Sequence, residues 1–346
     1  MSPPPNDLAS IHSSELNESS LFQKRKNERF AMILGTFVQL IWGFNNVQVK
    51  SFRPLFPNSY RVYTCIFWRI LPALVTAYII CKKNNHKITS FSEVKHKNWF
   101  LIRNCGIVLS IFFWIKSMEY FRISTITVIG KTAPLFIIFI SVIFLNETFY
   151  MRYVVGVVIC FIGSAIIVLN EKKSGSKSNI VNNNIFVGVI LQILNVTFTS
   201  LNNVGQKVLV AKDKMDLTEQ MFFLGLYNVV PMGIISLVKG DFIFDIKYIL
   251  YLMSNGLFFY TGNYLTSMCL KYIAISKFQP ITYLSIVFTF ILSNILLGEP
   301  LYLTDIVGAC FIIGFQFFNM KFPPGRKIDE SKLKEKFKND NNNEKE

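Results

Sequence analysis

Two adjacent asparagines followed by a lysine close two separate apolar runs: Asn45 and Asn46 before Lys50 in "FNNVQVK", and Asn202 and Asn203 before Lys207 in "LNNVGQK". A carboxamide both donates and accepts hydrogen bonds, and an unpaired one in hydrocarbon is costly. Each pair must therefore face a neighbouring helix or a polar cavity, with interhelical bonding and a two-sided gate as the two uses open to it. Two cations also stand inside apolar runs, Arg69 in "FWRILP" and Lys131 in "VIGKTAPL". A charge at mid-bilayer costs about 2.5 to 3.5 kcal/mol on insertion scales, so it normally meets water or a partner. Lys131 then either offers a cation to an anionic group or snorkels to the surface, and Arg69 either contacts substrate or braces neighbouring carbonyls. The chemistry on offer is recognition of an anionic or zwitterionic small molecule.

Covalent chemistry finds no foothold. The three histidines, His12, His86 and His96, lie outside the apolar runs, and no GxSxG, HExxH or glycine-rich phosphate loop occurs. The six cysteines fall inside or at the ends of apolar runs without a CxxC pair, so no metal, disulfide framework or cofactor is expected. No Asp or Glu lies deep in an apolar run, which counts against a proton relay.

The elements that must position these groups follow from composition. Of 346 residues, 51% are hydrophobic, 15% aromatic and only 16% charged, which is more apolar surface than a soluble core can hide. The charges gather in the tails and in short gaps, the pattern of an all-α, multi-pass membrane protein. The net charge of +15 sits mostly beside apolar segments, so lipid head groups and topology account for it and nucleic acid is not an expected partner.

At roughly 20 residues per crossing, ten segments are expected near 30–50, 61–81, 99–118, 123–145, 149–169, 185–206, 219–238, 248–270, 276–297 and 301–320. A polar tail (1–29) precedes them without a cleavable signal, a polar linker (171–184) divides them, and a charged, Asn-rich tail (321–346) follows. Counting Lys and Arg in alternate gaps gives about 21 on the side of both tails and about 9 on the other, so both termini are expected in the cytosol. The choice between plasma membrane and endomembrane stays open.

The chain repeats itself. Residues 120–150 align without gaps to 272–302, pairing Ile123 with Ile275, Ser124 with Ser276, Ser141 with Ser293, Glu147 with Glu299 and Tyr150 with Tyr302 at an offset of 152. Earlier in each half the register slips, and Asn45-Asn46 answers Asn202-Asn203 while Arg69 falls opposite Asn228. Two five-segment halves result, 30–170 and 185–320. Five is odd, so the halves are expected to be inverted about an axis in the membrane plane. They are not chemically equivalent: Lys131 has Tyr283 opposite it, and Pro134 has Ile286.

Leu145-Asn146-Glu147 followed by Gly156 and Gly163, and Leu297-Gly298-Glu299 followed by Gly308 and Gly314, resemble the EamA-type repeat of the drug/metabolite transporter superfamily. The resemblance implies a secondary carrier that moves a small organic metabolite by alternating access through a cavity formed mainly by segments 1–4 and 6–9. It leaves segments 5 and 10 as peripheral packing or as contacts of a homodimer. Two other readings remain: an endomembrane nucleotide-sugar or phosphate-ester antiporter, which needs paired basic residues, and a non-transporting scaffold or receptor, which needs a plugged cavity.

On this frame Lys131 lies about 8 residues, or roughly 12 Å, into segment four with Pro134 bending the helix beside it. Glu147 and Glu299 stand at helix ends, each meeting the amides of the helix that follows, and Pro280 opens segment nine with Lys277 and Gln279. Asn45, Asn46, Asn202, Asn203, Asn228 and Tyr283 join Lys131 and Arg69 as candidate substrate contacts, and Lys50 and Lys207 are expected to reach the head groups.

Overall fold

The computed structural model describes residues 5–52, 62–85, 88, 91–117, 120, 129–147, 150–171, 185–240, 242–298 and 303–321, and every long element among them is an α-helix. In chain order these are α1 (Pro5–Phe52), α2 (Val62–Lys83), α3 (Lys97–Ser117), α4 (Ala133–Leu145), α5 (Met151–Glu171), α6 (Ile185–Ala211), α7 (Leu217–Val238) and α8 (Ile246–Tyr272). A single turn (Ile275–Phe278) and a 3-10 segment (Gln279–Tyr283) then lead into α9 (Leu284–Leu297), and α10 (Leu303–Lys321) follows.

Among the described residues, six stretches are long and apolar enough to cross a bilayer: Arg25–Val49, Val62–Lys83, Lys97–Ser117, Phe186–Ala211, Leu217–Val238 and Ile275–Leu297. The 22 residues of α2 rise about 33 Å against a hydrocarbon core of about 30 Å. Shorter apolar helices lie at Ala133–Leu145, Met151–Gly163 and Ile306–Phe315. α8 is long but less apolar, because Asn255, Asn263, Thr266 and Ser267 are buried along it.

Local chemistry sets the helix ends. Asp216 caps α7 by accepting from the Thr218 amide at 2.8 Å, and Asp245 caps α8 by accepting from the Lys247 amide at 2.9 Å. The middle residue of each Leu-x-Glu element takes the left-handed conformation: Asn146 with φ 53° after α4, Gly298 with φ 67° after α9. Glycine and asparagine tolerate that region best, so the element ends its helix by backbone preference.

The outside is apolar and the inside polar. Phe136, Phe139 and Ile143 on α4, Val155 and Ile162 on α5 and Ile234 and Leu237 on α7 all face outward, while Gln39, Asn45, Arg69, Arg103, Asn202, Gln206 and Asn263 are buried. Lipid on the outer face and polar contacts within explain that inversion. The best-packed pairs are α3–α6, α2–α7, α5–α10, α1–α8, α1–α9, α2–α8 and α4–α6. Exchanging α1 with α6, α3 with α8 and α4 with α9 turns α1–α8 into α6–α3 and α1–α9 into α6–α4. Three apolar clusters form among the described residues; of the two larger, one is drawn mainly from α1, α4, α5, α9 and α10 and the other from α2, α3, α7 and α8, and Trp42 packs against both.

Candidate substrate cavity

Helical spacing assembles the site. Gln39, Trp42 and Asn46 on α1, Thr199, Asn202, Asn203 and Gln206 on α6, and Phe259, Asn263, Thr266 and Leu270 on α8 recur every three or four residues, so each set lies on one face of its helix. These faces, with Ser110 and two isoleucines of α3, Lys131, and residues from Ile275 to Ser285, enclose a cavity of about 300 Å³. That is the lower end of the usual range for small-molecule sites. Among the described residues of the wall, α2, α5, α7 and α10 contribute none, the only formal charge is Lys131, and no acid is present.

Lys131 lies in the turn before α4 rather than inside a helix. Its Nζ donates to Ser285 Oγ at 2.9 Å and to the Thr282 carbonyl at 3.5 Å, and stands 5.8 Å from the centre of the Tyr283 ring. The Tyr283 hydroxyl donates in return to the Lys131 carbonyl at 2.6 Å. Positions 131 and 283 are equivalents in the repeat, and two equivalent positions touch only near an axis that relates them. Pro134 falls in the first turn of α4, where its missing N–H costs nothing, so it starts the helix instead of bending one. Pro280 starts the 3-10 segment in the same way, and the chain is irregular at matching places in both halves. The residues from 121 to 128, where segment four was expected to begin, lie outside the described residues.

The asparagine pairs differ in their surroundings. Asn45 Oδ1 accepts from Arg69 Nη2 at 3.2 Å, and its Nδ2 donates to the Asn255 carbonyl at 3.2 Å. Asn255 Nδ2 donates back to the Asn45 carbonyl at 3.3 Å and to Gln48 Oε1 at 3.2 Å, and Ser254, Tyr251 and Ser51 extend the network through Gln48. Arg69 also faces Phe259 and Trp114, 5.0 Å and 5.9 Å from the ring centres. Gly256 lets α2 and α8 close here, since a Cβ on it would sit 2.1 Å from the Arg69 carbonyl oxygen. On the other side, Asn202 Oδ1 accepts from Arg103 Nη1 at 3.2 Å, and no acceptor among the described residues meets Arg103 Nε or Nη2. Asn46 Nδ2 donates to Thr289 Oγ1 at 3.1 Å.

Of the residues expected from sequence, Lys131, Asn46, Asn202 and Asn203 line the cavity. Arg69, Asn45, Asn228 and Tyr283 stand behind its wall, with Asn228 Nδ2 donating to the Asn104 carbonyl at 3.2 Å. Glu147 does meet helix-end amides, but those of Ile275 (2.9 Å) and Ser276 (3.1 Å) in the other half, with the Ser276 hydroxyl at 2.8 Å. Glu299 and the side chain of Lys50 lie outside the described residues. Lys207 turns inward to the Leu270 and Ile273 carbonyls at the end of α8, satisfying a helix C-terminus rather than head groups, and Lys277 pairs with Glu28 at 2.8 Å. Gln39, Gln206, Asn263, Gln279 and Arg103 were not singled out from sequence as site residues. The three- and four-residue spacing of amides inside apolar runs is the signal that points to the first three.

Comparison with known proteins agrees with this geometry. The model of the EamA-like transporter family matches residues 29–169 and again 186–320. A solved crystal structure of a protein superposes with a TM-score of 0.65, covering 83% of this chain and 95% of its own at 11% identity, a likeness of fold alone. No curated protein matches.

Proposed function

Because the chain belongs to the EamA-like transporter family, and is accordingly a multi-pass membrane protein of a family of transporters rather than enzymes, we propose that it is a secondary carrier for a small anionic or zwitterionic metabolite. The observation that carries this reading is a cavity of about 300 Å³ lined by residues of both halves, with carboxamides, hydroxyls and Lys131 set among apolar side chains on its wall. In this reading the helices cross the membrane as two inverted five-helix repeats, both termini face the cytosol, and the halves rock about the axis near Lys131 and Tyr283. The exchange symmetry of the packed helix pairs and the contact between positions 131 and 283 support the inversion.

The side of the cavity facing Leu270 and Ile275 is then the cytosolic one, and the Asn45–Asn255 network seals the opposite end. A phosphate-ester or nucleotide-sugar antiporter is the weaker alternative, because the described cavity wall offers one cation rather than a pair. A scaffold is weaker still, since carboxamides and hydroxyls line the space that a plug would fill. The test is uptake: proteoliposomes of the full chain, exposed to a mixed pool of water-soluble metabolites, should accumulate at least one of them by mass spectrometry, and Lys131→Ala should abolish that uptake with folding intact. Accumulation of nothing from the pool counts against transport.

A further inference from the structure

The transporter reading leaves the charge class of the cargo open, and three observations about the cavity narrow it. Its described wall carries a single cation and no acid. Behind that wall lies a second cation, Arg103, fully buried, whose only hydrogen-bond partner among the described residues is Asn202 Oδ1. A guanidinium can only donate, so Asn202 must give it the carbonyl oxygen and keep its Nδ2 as a donor for the cavity that it lines. Ser200 Oγ donates to the Ala133 carbonyl at 3.3 Å, which ties the chain just after Lys131 to α6, and Lys131 and Asn202 line the same cavity.

We infer that the cargo is a small monocarboxylate, its carboxylate held by Lys131 Nζ and Asn202 Nδ2, with Arg103 as a positioning residue that fixes the amide and raises the local potential. Charge magnitude decides between a carboxylate and a phosphate ester. Attraction to one ammonium grows in proportion to the ligand's charge, whereas the cost of stripping its water grows with the square of that charge. One cation on the described wall therefore favours a monoanion over a dianion, which that wall would leave under-compensated. A cationic amine meets repulsion from Lys131 and finds no acid among the described residues of the wall. The rest of the ligand faces carboxamides and hydroxyls, including Gln39, Gln206, Asn263 and Thr266, beside Trp42 and Phe259. With Ile107, Ile111, Leu270 and Phe278 also on the wall, a ligand that is part polar and part apolar suits that surface.

The inference rests on the transporter reading, and a binding assay keeps their failures apart. Thermal unfolding of the purified full chain is followed with L-lactate, L-glutamine, glucose 6-phosphate or putrescine. Lactate or glutamine should raise the midpoint, and the phosphate ester and the diamine should not. Asn202→Asp is the informative variant: it gives Arg103 a counter-ion, so unliganded stability should hold or rise. It also turns a carboxylate oxygen into the cavity, so carboxylate binding should weaken by about 10-fold or more. A merely structural role for the Arg103–Asn202 contact predicts unchanged binding. Lys131→Gln should likewise lose the shift, and serves if the aspartate variant does not fold. Stabilisation by glucose 6-phosphate or putrescine, no shift with either carboxylate, or undiminished carboxylate binding in both variants would overturn the inference, while uptake from the metabolite pool would still uphold the carrier.

Discussion

The same motif, Asn-Asn-Val, has been put to two uses in the two halves of the molecule. At the end of α1, Asn45 is committed on both sides of its amide, to Arg69 and to the Asn255 carbonyl, and a network through Gln48, Ser254 and Tyr251 binds α1 to α8. At the end of α6, the Asn202 side chain has among the described residues a single bond, from Arg103, and otherwise belongs to the cavity wall. The difference traces to the residue that each motif meets on a neighbouring helix: Asn255 of α8, an amide that both donates and accepts, on one side, and Arg103 of α3, a cation that only donates, on the other. Reciprocal amide bonds lock two helices together; a buried cation polarises one asparagine and leaves it available. Two matched halves can thus keep a common architecture while the same motif ties helices together in one and lines a cavity in the other.

Substitutions at the helix contacts should separate the two ends most strongly. Gly256→Ala drives a Cβ to 2.1 Å from the Arg69 carbonyl oxygen and should cost about 3 kcal/mol of stability in reversible unfolding in mixed micelles. Gly205→Ala at the α3–α6 contact meets Trp99 O at 3.1 Å and the Arg103 Cβ at 3.2 Å, and should cost only about 1 kcal/mol. Equal costs at the two sites would erase the distinction. Asn255→Leu removes the donor to the Asn45 carbonyl and to Gln48, and should lower stability by about 1.5 kcal/mol in the same assay. The smallest effect is expected at Asn203, which lines the cavity: Asn203→Ala should change stability by no more than about 0.5 kcal/mol, and a larger loss would mean that this end is also a lock.

Most of the frame could be read from the chain because hydrophobic length and charge placement are local properties. The segment expected at 61–81 is helical from Val62 to Lys83, and that at 219–238 from Leu217 to Val238. Lys131 and Asn202 drew attention for the same reason, since a polar group inside an apolar run is conspicuous wherever it points. What each contacts depends on partners far along the chain, and sequence gave no hint of those. Glu147 caps a turn 128 residues away, Asn45 meets a residue 210 away, and Arg103, 99 residues before Asn202, donates to its side chain. Pro134 shows the same limit: a proline bends a helix or begins one depending on where the helix starts, and the irregular turn at Lys131 leaves no mark on hydropathy.

The central claim, that the Asn45–Asn255 end is a seal that must open for transport, is tested most directly by locking it. The Gln48 side chain reaches Ser254 Oγ, so positions 48 and 254 face each other across α1 and α8 within the span of a short, reducible bifunctional thiol reagent. With the exposed Cys105 and Cys310 replaced by serine, the Gln48→Cys/Ser254→Cys chain should lose uptake in proteoliposomes on cross-linking with that reagent and recover it on reduction. Uptake at the unlinked rate by protein shown to be fully cross-linked would contradict the account.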